Sequence, residues 1–182
     1  MKTKLFFIGL LLMSKTLWAQ EKKKIEADKK ASFILYDMKH PMHDWDAKST
    51  QARSVIVYNT ATNKIEAVAV SVPVKSFDSG NSNRDSHAIE VLEALKFPNV
   101  SFSSSKITES ADGSITATGN LTFHGVSKPI ELKAQKTEIK NGIKLEGKFV
   151  INMTTFGVEP PGLLGIKTNE NINLSYIMVY PL

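Results

Sequence analysis

The chain has no cysteine among its 182 residues. That removes a disulfide framework, a thiolate nucleophile and a lipid-modified cysteine anchor from consideration. Arginine is almost absent too, with Arg53 and Arg84 alone in a chain that otherwise uses lysine. No Gly-x-Ser-x-Gly elbow and no glycine-rich loop ahead of a helix occurs, so serine-hydrolase and phosphate-cradling chemistry lack their usual carriers. There is no internal repeat, no long linker and no low-complexity block. The apolar run from Leu5 to Met13 is too short to cross a bilayer comfortably.

What is present at the N-terminus has the form of an export signal. Lys2 and Lys4 precede the apolar run, and Leu17-Trp18-Ala19 offers a cleavage site. The expectation is a cleaved leader over residues 1–19 and a periplasmic destination. The leader carries Lys2, Lys4 and Lys15 and no acid, so its removal lowers the net charge from +5 to +2. A nucleic-acid partner then has little electrostatic support. The lysine-rich stretch 20–30 reads as a flexible, solvated lead-in, with contact to a membrane surface as the other reading. Residues 31–182 are long enough for a single domain with its own core.

That domain alternates apolar and polar residues at period two nearly throughout, the mark of half-buried strands. About eight strands are expected: 31–38, 53–59, 64–74, 100–108, 114–123, 128–140, 143–153 and 171–180. Val68, Val70, Val72 and Val74 share one face of the third, opposite the small residues Ala67, Ala69 and Ser71. Asp112-Gly113 and His124-Gly125 mark turns. Asn141-Gly142 has the composition of a type I′ hairpin, which needs positive φ at both central residues. Eight strands are about the number that closes into an all-β antiparallel barrel, either filled by side chains or holding one small ligand. The pattern leaves both interiors open.

One helix interrupts the strands, expected near 84–96. Asn83 or Asp85 can cap its start. Ala88, Ile89, Leu92 and Leu95 recur at helical spacing opposite Glu90 and Glu93, and Pro98 ends it. Such a one-faced helix must lie against the barrel wall or close one end.

Three segments could carry chemistry. His40-Pro-Met-His43-Asp44 is the one cluster with ligand-like residues close together; it is either a metal site made by a turn at Pro41 or a polar connection with Trp45 as an apolar plug. Arg84, with His87 three residues on, either buttresses the helix start or meets a polar head group at the barrel mouth. The stretch 155–166 is rich in glycine and proline yet apolar at Phe156, Val158, Leu163, Leu164 and Ile166. It reads as a plug over one barrel end, a lid, or a surface for a membrane or carrier.

SFDSGNSNRDSH at 76–87, KFPNVSFSSSKI at 96–107, GNLTFHGVSKPIEL at 119–132 and INMTTFGV at 151–158 together resemble the YceI-like family. The resemblance runs from about Ser32 to Tyr180, with Met153 where an arginine is usual. It implies an extended lipocalin-like barrel in the periplasm whose apolar lumen takes a polyisoprenoid or fatty-acid-like chain. It implies no catalytic residue, metal or cofactor. Val70, Val72, Phe102, Leu121, Phe149 and Ile151 are then the expected lumen residues, with Arg84, His87 and Phe156 at the mouth. The other reading is a non-catalytic structural or stress-response module with a filled barrel. A homodimer and a transient membrane contact stay open.

Overall fold

The computed structural model describes residues 22–163 and 165–182; the expected leader lies outside them. The eight expected strands are all present. They are β2 (Phe33–Met38), β4 (Arg53–Asn59), β5 (Lys64–Pro73), β6 (Asn99–Glu109), β7 (Ser114–Phe123), β8 (Val126–Ile139), β9 (Gly142–Asn152) and β12 (Asn171–Pro181). Two more join the same sheet, β1 (Lys22–Glu26) and β3 (Trp45–Ser49), giving ten strands in the order β1-β4-β5-β6-β7-β8-β9-β12-β2-β3. β10 (Gly162–Leu163) and β11 (Ile166–Lys167) form a separate hairpin.

β1 corrects part of the flexible lead-in: Lys22–Glu26 pair with β4, Ile25 opposite Ile56. Its lysines suit an edge strand, where charge discourages pairing with another chain. Both additional strands sit at sheet edges: β1 turns inward only half-buried Ile25, and β3 turns inward half-buried Trp45 and fully buried Ala47.

The sheet curls into a barrel, and each of its two edges is tied down by a few hydrogen bonds. Lys48 and Asp78 exchange backbone hydrogen bonds of 3.0 Å, joining β3 to the loop after β5. Ser49 and Ser76 share a hydroxyl hydrogen bond of 2.6 Å beside them. On the far side, the Asp28 amide donates to the Val179 carbonyl at 2.7 Å, and the Ser54 and Tyr180 hydroxyls are 2.6 Å apart.

Helix α1 spans Ser82–Val91 and differs from expectation at both ends. Asn81 is the cap, its side chain accepting from the amides of Asn83 and Arg84. The helix stops well short of Pro98 because Glu93 adopts φ +44°. The Glu93 carboxylate lies 2.8 Å from His124 Nε2, and Phe97 packs edge-on to the same imidazole at 4.8 Å. Leu95 therefore falls in a turn and is 99 % exposed, and Val91 takes its place facing the barrel.

The type I′ signature belongs to a different hairpin than expected. At β7–β8 both central residues are left-handed, His124 at φ +50° and Gly125 at +74°. At β8–β9 the central pair is Lys140-Asn141, and of these Asn141 alone has positive φ (+61°).

Two apolar clusters hold the barrel. One gathers Ile34, Ile56, Ile65, Ile143, Met178 and Tyr180. The other gathers Met38, Phe102, Phe123, Ile151, Phe156 and Val158 at the α1 end. Pooling buried apolar area into two groups leaves the space between them as the site of interest.

An apolar lumen with a polar mouth

A cavity of about 560 Å³ runs between the two clusters. The inward side chains of β5 line one wall: Val68, Val70, Val72 and, just beyond, Val74. Ala67 and Ala69 face outward, so the valine face is the inner one. Phe102 and Leu121 are paired across β6 and β7, and Phe149 and Ile151 stand on β9. Burial here is geometric: with strict alternation, choosing the inward face for one residue fixes it for the whole strand. An apolar cavity of about 150 Å³ holds a six-carbon ring, so the volume here suits on the order of twenty carbons.

The ends differ. At one, Tyr180, Ile143 and Ile56 are almost fully buried and close the floor. Burial holds the Tyr180 phenol up at about 12, and that of Tyr176 likewise. At the other, polar residues ring the cavity: Asn81, Asn83, Arg84, Asp85 and His87 from α1 and its cap, and His40 and His43 from the β2–β3 connection. Tyr36 lies just inside, packed on Phe77 at 5.3 Å, its phenol raised chiefly by burial.

Arg84 stands at the mouth on the first turn of α1. Its guanidinium carbon sits 5.4 Å over the Trp45 ring. The buttressing expected of it is done by its neighbours. Asn81 caps the helix, and Asp85 accepts from the Ser79 hydroxyl at 2.6 Å and the Ser79 amide at 3.2 Å. Among the described residues no carboxylate or carbonyl accepts a hydrogen bond from the Arg84 guanidinium, which leaves its fork free at the mouth. His87 also lines the mouth, half-exposed and 3.9 Å from Glu90.

The histidine cluster is a latch. Met42 donates its amide to His40 Nδ1 at 3.1 Å, so the ring proton is on Nε2, which donates to the Ile166 carbonyl at 3.2 Å. With both nitrogens occupied, His40 has none to share with a metal. The contact ties the β2–β3 connection to the β10–β11 hairpin, and the Asn169 amide adds a second tie to the Lys39 carbonyl at 2.8 Å. His43 stacks between His40 and Trp45, 5.5 Å from each.

Eight of the nine expected site residues line this cavity: Val70, Val72, Arg84, His87, Phe102, Leu121, Phe149 and Ile151. Phe156 does not. It is buried edge-on to Phe123 at 5.7 Å with Val158 beside it, so the first half of the 155–166 stretch is a plug. Pro161 and Gly162 from its second half reach the cavity rim, and Leu164 lies outside the described residues. Tyr36, Tyr176 and the floor residue Tyr180 also line the cavity, beyond the expected set; the sequence signal for them is their inward register with the apolar positions of β2 and β12.

A YceI-like domain model matches residues 26–179. The chain belongs to the YceI-like family. It is 26% identical over 171 residues to a UPF0312 protein of Pseudomonas fluorescens, covering 85% of each chain. It is 37% identical to a UPF0312 protein of Vibrio vulnificus over 79 residues, 42% of this chain and 40% of that one. Among solved structures, Burkholderia cenocepacia BcnA superposes with a TM-score of 0.74 at 17% identity, covering 84% of this chain and 98% of that one. A protein from Saccharophagus degradans, described as a polyisoprenoid binding domain implicated in plant cell wall breakdown, superposes at 0.71 and 12% identity, covering 86% and 97%. These likenesses establish the YceI-like barrel fold.

Proposed function

We propose that this protein binds a long-chain amphiphile of the isoprenoid class, with the hydrocarbon tail in the lumen and the polar end at Arg84. The observation that carries the reading is the apolar cavity of about 560 Å³ that runs from the Tyr180 floor to the α1 mouth. A barrel filled as an inert scaffold has no use for it. The structurally similar Saccharophagus degradans domain, described as polyisoprenoid binding, supports the same ligand class. About ten buried methylenes contribute roughly 8 kcal/mol, equivalent to micromolar affinity. The tail supplies affinity and the mouth selectivity. The activity is carriage or sequestration without catalysis, since the lumen walls that would surround a bound chain are overwhelmingly apolar. The leader expected at 1–19 supports a periplasmic site of action, as a carrier, store or sink.

The test is a titration of the leader-free protein with farnesol and farnesyl phosphate. Trp45 is then the single tryptophan and stands at the mouth. Saturable quenching or enhancement of its emission with one site per chain is the expected result. No change with either compound, with no competition by a fluorescent fatty-acid probe, contradicts the reading.

A further inference from the structure

The barrel wall has a seam. β8 and β9 pair from Gln135–Glu146 through Ile139–Gly142 and stop there. Beyond that point Val126–Ala134 continue in register with β7 alone, and Gly147–Asn152 with β12 alone. Among the described residues no bridge joins the two facing stretches. Two local features fit an unpaired edge. Pro129 stands within this part of β8, and proline, lacking an amide hydrogen, is confined to edges and bulges. Lys128, Lys133 and Lys148 also lie along it, charges that discourage edge-to-edge pairing.

The seam begins at a wedge. Tyr176 on β12 lies opposite Gly147 and reaches across it to donate its hydroxyl to the Lys133 carbonyl at 3.2 Å. A Cβ at position 147 would fall 2.4 Å from that carbonyl and 2.5 Å from the hydroxyl, so only glycine lets the phenol through. One side-chain hydrogen bond thus stands where the backbone ladder ends. Past it, Leu132, Phe149 and Ile151 form apolar inner lips that line the lumen, and Val150 is exposed on the outside.

We propose that this seam is a lateral portal: the hydrocarbon tail of the ligand enters and leaves the lumen sideways between β8 and β9, past the Tyr176–Lys133 latch. The proposal rests on the binding function above. The alternative route is end-on. Its floor is sealed by buried Tyr180 and Ile143, and its mouth is crossed by α1 and tied by the His40–Ile166 and Lys39–Asn169 contacts. Threading a long chain there breaks several hydrogen bonds, whereas parting the seam breaks one. Breaking one bond rather than several gives the lateral path the lower barrier.

The chain has no native cysteine, which makes a reversible staple clean. Extending the β8–β9 register places Glu131 opposite Val150, both exposed and outward. The double variant Glu131→Cys/Val150→Cys is joined by a short cross-linker cleavable with reductant, and loading and release of a dansyl-labelled isoprenoid alcohol are followed by stopped flow. Expected are rates at least tenfold slower in both directions with unchanged equilibrium affinity, restored by reductant. Tyr176→Phe, which keeps the ring and deletes the latch, should load several-fold faster. Unchanged rates on cross-linking, or unchanged or slower loading in Tyr176→Phe, overturn the portal while leaving the binding function standing. Failure of the unmodified protein to bind the probe at equilibrium overturns the binding function, and the portal with it.

Discussion

The Arg84 guanidinium lies over the face of Trp45, 5.4 Å from the ring centroid, with no carboxylate partner among the described residues. An exposed cation–π contact is worth about 0.5–1 kcal/mol. Arg84→Ala should therefore cost no more than that in thermal stability. The same variant should lose most of the preference for farnesyl phosphate over farnesol, while farnesol affinity stays within about threefold. A stability loss above about 2 kcal/mol would return Arg84 to the role of buttress.

Filling the lumen should separate binding from folding. Ala117 is buried on β7 and lines the cavity. Ala117→Phe puts a ring into empty space, so farnesol binding should weaken at least tenfold while the melting temperature holds or rises. Phe102→Ala works the other way. Phe102 is buried in one apolar cluster, and its truncation should cost about 3–5 kcal/mol in denaturant unfolding. If Ala117→Phe binds normally, the ligand does not occupy this space.

The positions of those walls were legible in the sequence because alternation is strict. Val68 to Val74, Phe102, Leu121, Phe149 and Ile151 need only the choice of face, and the structure supplies it. The helix ends were not legible: Asn81, Asn83 and Asp85 are all chemically able to cap, and Glu93 turns left-handed through contacts with His124 far along the chain. Nor were β1 and β3, where Lys22–Glu26 offers only Ile25 to the interior and the five residues of Trp45–Ser49 offer only Trp45 and Ala47 between charged neighbours. The seam hides for the opposite reason. The alternation of residues 126–134 and 147–152 is as regular as anywhere, and pairing partners leave no trace in periodicity.

His40 should act as the rim latch through its neutral tautomer. Replacing it with alanine removes an acceptor for the Met42 amide and a donor for the Ile166 carbonyl. The expected loss is about 1–2 kcal/mol. Hydrogen exchange should quicken at 39–44 and 162–168 and leave β4 to β7 untouched. Uniform quickening over the barrel would show that the contact is no local latch.

Tyrosine titration gives a test in alkali. Burial lifts the phenols of Tyr176 and Tyr180 from 10.0 to about 12. A raised folded-state value favours the protonated native form, so this stability is fully present below about pH 10 and lost as pH rises through about 12. Part of the phenolate absorbance should therefore appear only together with loss of the β-sheet circular dichroism signal. All four tyrosines ionising near pH 10 with the sheet intact would contradict the buried floor.

Native mass spectrometry of the leader-free protein decides whether an apolar ligand is held in the lumen. A stoichiometric adduct in the isoprenoid range is expected, either carried through purification or formed on incubation with farnesyl phosphate, and much reduced in Ala117→Phe. A clean unliganded mass before and after incubation would contradict it.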